Sequence, residues 1–314
     1  MIGIVYKSTG SWYTVKTENG DFLECRIKGK FRMKGIKSTN PVSVGDHVIF
    51  EFEAGKETGV INTILDRKNY IIRKSVNLSK QTHIIASNID IAFLVVTIDN
   101  PPTFTGFIDR FLASAEAYAI KTILLFNKLD IYNDDELEKL AILEDTYTNI
   151  GYQCIAISAT KNISIDEVKA LMKDKTTMFS GHSGVGKSTL INALEPSLNL
   201  KTKEVSKQHK QGMHTTTFAE MFELSFGGFI IDTPGIKGFG VVDFEPGQIT
   251  DYFPEFFKIK SKCKFNNCLH IKEPKCAVKK ALDEGDIAFS RYRSYMQIIE
   301  GEDEHYRTDI WDKE

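Results

Sequence analysis

"LLFNKLDIY", residues 124–132, closes an apolar run with Asn127, Lys128 and Asp130. N-K-x-D is the arrangement with which GTP-binding domains read guanine, and in them it normally follows the phosphate loop by a long stretch of chain. Here the glycine-rich stretch "GHSGVGKST" begins only at Gly181, 54 positions after Asn127. The early N-K-x-D is therefore either accidental or the mark of a domain whose elements have been cyclically shifted.

The later stretch decides between them. It fits G-x-x-x-x-G-K-[ST], with Gly181, His182, Ser183, Gly184, Val185, Gly186, Lys187, Ser188 and Thr189 spanning the loop between an apolar strand and a helical "KSTLINAL". Backbone N–H groups of such a turn cradle phosphate oxygens, and the helix N-terminus adds positive potential. Lys187 is placed to reach the β- and γ-phosphates, and the Ser188 hydroxyl to bind Mg²⁺. "FIIDTPG" (229–235) puts Asp232 at the end of a strand, 45 residues after Lys187, as a carboxylate for the Mg²⁺ shell. Gly235 could present its N–H to the γ-phosphate. Between them "HTTT" (214–217) offers hydroxyls that could cap Mg²⁺ in a switch loop. Thr216 is the favoured ligand, although three threonines entering a strand also express simple β-propensity.

With these elements in place, Asp130 reads as the acceptor for guanine N1–H and the 2-amino group. Adenine would leave that carboxylate unpaired, which discriminates strongly. Asn127, Lys128 and Leu129 complete the base-reading turn. "SAT" (158–160) supplies Ser158 and Ala159 for a loop whose N–H faces guanine O6. Each motif ends a strand, where ligands sit in α/β sheets. The expectation is a re-ordered domain, base-reading elements first and phosphate-reading elements second. Domain termini often lie close together, so such a shift is physically admissible.

Alternating strand and helix texture from Asn88 to about Gly240 predicts a mostly parallel sheet covered on both faces. Residues 1–70 instead carry short β-like runs between turns, as in a small barrel; about five strands would suit an OB type, and periodicity does not separate it from other barrels. After Gly240 the chain turns irregular, aromatic and lysine-rich, then helical from about Lys275. The expected domains are 1–70, 71–244 and 245–314.

The chain has 314 residues, 42% hydrophobic and 26% charged, as in ordinary globular proteins. No apolar run approaches the roughly 20 residues of a membrane span, and "MIGIVYKSTGSWYTV" lacks the features of a secretory signal. A cytoplasmic protein without a membrane partner is expected. The net charge of −2 hides a balance of +6 in residues 1–80, +7 in 256–280 and −6 in 282–314. Two basic regions point to a polyanionic partner. The first contains "RIKGKFRMKGIK", with Arg26, Lys28, Lys30, Arg32, Lys34 and Lys37 as candidate RNA contacts, although a charge run can also be only a solvated face. In the second, Cys263, Cys268, His270 and Cys276 follow C-x4-C-x-H-x5-C. Three thiolates and an imidazole suit one closed, structural Zn²⁺ site. Cys25 and Cys154 lie in strand-like runs and read as core residues.

The order of these motifs resembles that of the circularly permuted ribosome small-subunit-dependent GTPase A family. The likeness is carried over the whole chain by "VGDHV", "IDRFL", "NKLD", "SAT", "GHSGVGKSTLINAL", "HTTT", "DTPGIKGFG", "FPEF" and "CKFNNCLHIKEPKCAV". It implies an N-terminal OB-fold, a central permuted P-loop GTPase and a C-terminal zinc domain, mainly helical. It also implies a Mg²⁺-dependent GTPase, working as a monomer between GTP and GDP in late maturation of the 30S subunit, bound to 16S rRNA and stimulated by that subunit. In such proteins a histidine before the threonine run is implicated in hydrolysis, which matches His214. Ile236 follows D-T-P-G as the pattern expects, whereas Met213 stands where a basic residue is usual. A rival class is an rRNA-binding assembly module that uses GTP only as a conformational ligand. A membrane-associated signalling GTPase finds little support, because no lipidation motif appears.

Overall fold

The computed structural model describes residues 1–27, 41–74, 82–200, 219–232 and 245–301. Its first body is built from β1 (Ile2–Ser8), β2 (Tyr13–Thr17), β3 (Phe22–Ile27), β4 (His47–Phe52) and β5 (Gly59–Ile64). The strands follow the order β1-β2-β3-β5-β4, and β4 closes back on β1. Every pairing is antiparallel except β3 with β5. This is the five-stranded Greek-key barrel expected from the turn spacing. Alternate residues such as Val5, Tyr13, Val15 and Phe50 fill it, together with the thiol-bearing Cys25.

A hairpin of β6 (Tyr70–Lys74) and β7 (Thr82–Ser87), not foreseen in the sequence, leads out of the barrel. The second body then runs β8 (Ile91–Val96), α1 (Thr105–Ala117), β9 (Lys121–Phe126), α2 (Asp134–Ile150), β10 (Gln153–Ala156), α3 (Ile165–Met172), β11 (Thr176–Ser180), α4 (Lys187–Leu194), β12 (Glu220–Glu223) and β13 (Phe229–Asp232). Its strand order is β10-β9-β8-β11-β13-β12, parallel except for β12. The run "IAFLVV" of β8 is buried throughout because both faces are covered. Ala92, Leu94 and Val96 pack toward α1 and α2, while Ile91, Phe93 and Val95 pack toward α3 and α4.

From β8 the chain winds outward to β9 and β10, then returns to place β11 on the other side of β8. The winding reverses there, so the crevice for a ligand opens beyond the carboxyl ends of β8 and β11. The loops that leave those two strands carry residues 97–104 and the stretch beginning at Gly181.

The third body is helical, with α5 (Pro246–Ile249), α6 (Pro254–Ile259), α7 (Ala277–Asp283) and α8 (Phe289–Glu300) around Phe253, Phe256 and Tyr295. Buried ion pairs join the bodies. Asp46, fully buried, takes the Nε and Nη2 hydrogen bonds of Arg67, 2.6 Å each, and the Ser87 hydroxyl at 2.5 Å. Arg291 of α8 donates to Asp109 of α1 at 2.7 Å and to Glu255 of α6 at 2.8 Å. No helix among the described residues is long and apolar enough to cross a membrane.

Candidate nucleotide and metal sites

A cavity of about 220 Å³ opens at the switch point, lined by Asn127, Lys128, Asp130, Ile131, Ala159, Thr160, Gly186 and Thr189. It unites the early N-K-x-D, the S-A-T turn and the phosphate loop. Asn127, buried at the end of β9, does the joining. Its Nδ2 donates to the Val185 carbonyl at 2.8 Å, and its Oδ1 accepts the Ala159 N–H at 3.1 Å. Gly186 is required beside it: at φ +95° an added Cβ would stand 2.4 Å from Asn127 Nδ2.

Asp130 is exposed to the cavity, and both its oxygens are held. Ser158 Oγ donates to one at 2.5 Å and Thr160 Oγ1 to the other at 3.0 Å. The Ser158 hydrogen bond chiefly keeps the carboxyl below its usual range, so it is an anion at the cavity wall. Leu129 begins the short 3-10 turn that carries Asp130. Lys128 has left-handed backbone, φ +72°, and donates to the Asn100 carbonyl.

Lys187, at the start of α4, folds back to donate to the carbonyls of Gly181 and His182. Burial pushes its ammonium down to about 8, opposed by the carboxylate of Asp232. Asp232 ends β13 on the phosphate-loop side of the sheet. Ser188 and Thr189 open α4, and Val185 turns its side chain into the core. His182 turns away from the cavity toward residue 103, so any phosphate contact from it comes from its backbone. His214, Thr216, Gly235 and the basic residues Lys28, Lys30, Arg32, Lys34 and Lys37 lie outside the described residues. Arg26 is described, and it ion-pairs with Glu53 across the barrel.

A larger cavity, about 400 Å³, lies at the other end of the sheet, where β11 and β13 begin and the barrel abuts. Its Lys68 and Asp90 pair with each other, and none of the nucleotide-motif residues lines it. We place the chemistry in the smaller cavity.

The four metal candidates meet in the third body. Cys263, Cys268, His270 and Cys276 bring their ligand atoms within 4.8 Å of one another. A tetrahedral shell at Zn–S of about 2.3 Å has edges of about 3.8 Å. His270 Nδ1 lies 3.7 Å from Cys263 Sγ and 3.3 Å from Cys276 Sγ. Backbone N–H groups of Ala277 and Lys279 donate to the sulfurs of Cys263 and Cys276, as thiolates favour. Burial first, and then the neighbouring Cys276 and Cys263, push the Cys268 thiol up to about 12, so a thiolate there needs a cation beside it. These residues could hold one Zn²⁺, whose contribution would be to fold the knuckle between α6 and α7.

Sequence reasoning gave no role to Thr160 Oγ1, to the loop 97–104 or to the pairs at Asp46 and Asp109. The runs "VGDHV" and "IDRFL" contain the last two; a lone acid inside an apolar run was the available signal.

A model of the RsgA GTPase matches residues 64–242, and one of the RsgA N-terminal domain matches residues 2–61. A small ribosomal subunit biogenesis GTPase RsgA from Flavobacterium johnsoniae is 66% identical over 99% of this chain and 96% of its own. One from Christiangramia forsetii is 65% identical over the whole of both chains. Among solved structures, YjeQ from Thermotoga maritima superposes with a TM-score of 0.77 at 35% identity, covering 96% of this chain and 97% of its own. YloQ, a circularly permuted GTPase, gives 0.73 at 32% identity, covering 96% and 94%.

Proposed function

The chain belongs to the RsgA GTPase family and is a GTPase, and from that premise we propose that it serves the biogenesis of the small ribosomal subunit. In this reading it binds rRNA on the assembling 30S particle and hydrolyses GTP, and that particle stimulates the hydrolysis. The observation that carries the reading is the bridge of Asn127 between Val185 and Ala159, which ties base recognition to phosphate recognition across the shifted chain order.

The proposed roles follow from chemistry. Asp130 accepts the two donors of guanine, and the S-A-T turn supplies one backbone N–H to O6. The loop 181–189 cradles the phosphates; Lys187 leaves its carbonyl partners for phosphate oxygens. Mg²⁺, when bound with GTP, would neutralise charge between the β- and γ-phosphates. Ser188 and Thr216 would hold it directly and Asp232 through its hydration shell, with Gly235 donating to the γ-phosphate. His214 orients the attacking water in the particle-bound state. Residues 1–70, 71–244 and 245–314 are the proposed working units of a cytoplasmic monomer. The barrel's basic run would contact rRNA.

Phosphate release measured alone, with 30S and with 50S particles tests this. Slow release accelerated by 30S only is expected, with acceleration lost in His214→Ala while GTP still binds. Release unaffected by 30S would remove the ribosome from the reading.

A further inference from the structure

A phosphate-binding loop works only if its N–H groups face the anion, so its carbonyls must be turned outward and held there. Most of those carbonyls already have partners. Lys187 takes Gly181 and His182, Asn127 takes Val185, and the Leu190 N–H takes Gly186 at 2.9 Å. The carbonyl of Ser183 lies 3.1 Å from Nδ1 of His182. A carbonyl only accepts, so that nitrogen carries the proton.

The other ring nitrogen, Nε2, stands 2.7 Å from the hydroxyl of Thr103. His182 is held neutral mainly by burial, with Lys187 and Lys128 also opposing its charge. Nε2 of a neutral ring protonated at Nδ1 accepts, so the Thr103 hydroxyl donates. That hydroxyl is itself fixed by the Thr97 N–H at 3.0 Å, and the Thr103 N–H returns to the Thr97 carbonyl at 2.9 Å. Phe107 of α1 closes edge-on against the ring with centroids 5.8 Å apart.

We propose that Thr103 is a positioning residue for nucleotide binding, acting through His182: its hydroxyl anchors Nε2 and so fixes the ring, and the ring holds the Ser183 carbonyl out of the phosphate cradle. Removal of the hydroxyl leaves Nε2 without its partner, so the ring is free to turn. Nδ1–H then leaves the Ser183 carbonyl, and the loop loses its outward restraint. The cradle meets the diphosphate in ground and transition state alike, so the loss falls on KM and leaves kcat largely unchanged.

The inference rests on nucleotide binding at this loop and on nothing ribosomal. GDP affinity is therefore measured on the free protein for wild type, Thr103→Val, Thr103→Ser, His182→Phe and the double variant Thr103→Val/His182→Phe. Thr103→Val is expected to weaken GDP about tenfold, the scale of one hydrogen bond. Thr103→Ser should restore it. The double variant should be no weaker than His182→Phe, because the two residues act in series. Ring ¹⁵N shifts should show Nδ1–H with a hydrogen-bonded Nε2 in wild type and the loss of that Nε2 hydrogen bond in Thr103→Val. Wild-type GDP affinity in Thr103→Val, an unchanged Nε2 shift, or additive losses in the double variant would overturn the proposal. Thermal melting of each variant separates a binding loss from an unfolded protein, and Thr103→Ser keeps the test open if Thr103→Val does not fold. If the wild-type protein bound no guanine nucleotide at all, the functional reading would fail first.

Discussion

At the scale of single residues, the nucleotide site depends on charges held in restrained positions. Asp130 is oriented by two hydroxyls that can rotate to donate or accept, so Asp130→Asn is tolerated by its neighbours. The amide should weaken GDP by at least about 10²-fold and favour xanthosine diphosphate, whose 2-oxo group needs a donor. Competition binding with the two diphosphates checks this, and equal GDP affinity would exclude Asp130 as base reader. Lys187 gives a pH signature. Burial lowers its free-state pKa to about 8, and bound phosphates would raise it again. Binding therefore takes up a proton above that pH. GDP affinity should be flat below about pH 8 and fall by up to tenfold per unit above it. Titration of Kd from pH 7 to 9.5 reads this directly, and a flat profile would place the ammonium outside the phosphate contacts.

Between elements, the loop 97–104 and helix α1 have two sides. One end supports the phosphate loop through Thr103 and Phe107, and within a turn Asp109 anchors Arg291 of α8. Arg291 is 1% exposed, lies 4.4 Å from the Phe253 ring centroid, and pairs with Asp109 and Glu255. Arg291→Met leaves two buried or half-buried acids without their cation, a change that costs about 3–5 kcal/mol. Hydrogen exchange at α8 amides should accelerate accordingly, and Asp109→Asn added to it should recover part of the loss. Unchanged exchange would mean the pair is not what docks α8. The metal knuckle is a second element-scale determinant. Purified protein should carry one Zn²⁺, and Cys268→Ser should lose it and melt α6 to α8. GDP affinity should survive, since the phosphate loop's supports Asn127 and Thr103 lie in the second body. Metal analysis under reducing conditions that finds no zinc would refute the assignment.

On the scale of the whole molecule, the barrel extends the central sheet rather than hanging from it. β1 meets β12 at Lys7 and Glu220, and Tyr6 donates to Glu223 at 2.7 Å. Gly45, at φ +89°, lets the barrel approach so closely that a Cβ would stand 2.2 Å from the Ser87 carbonyl. Lysines surround the knuckle, two of them over Phe257 and Phe265, and the sequence carries a second basic run at 26–37. Neutralising Lys28, Lys30 and Arg32 together should weaken 30S co-sedimentation and flatten its salt dependence while leaving basal hydrolysis unchanged. An unaltered salt slope would remove that run from the interface. Local sequence determined much of this protein: spacing marked the glycine-rich loop 181–189, the turn 127–130 and the Cys-Cys-His-Cys knuckle, and period-two and period-3.6 patterns set the strands and helices that carry them. Those signals are legible because a phosphate cradle, a tetrahedral metal shell and an amphipathic element each need residues close together in the chain. Tertiary structure alone decided which strand neighbours which, and so why β8 and β11 meet at the crevice. It also decided the partners of Asn127, Thr103, Asp46 and Asp109, whose contacts reach across 58, 79, 21 and 182 residues. No local pattern encodes a partner at such distances, because only the closed fold brings the two groups out of water together.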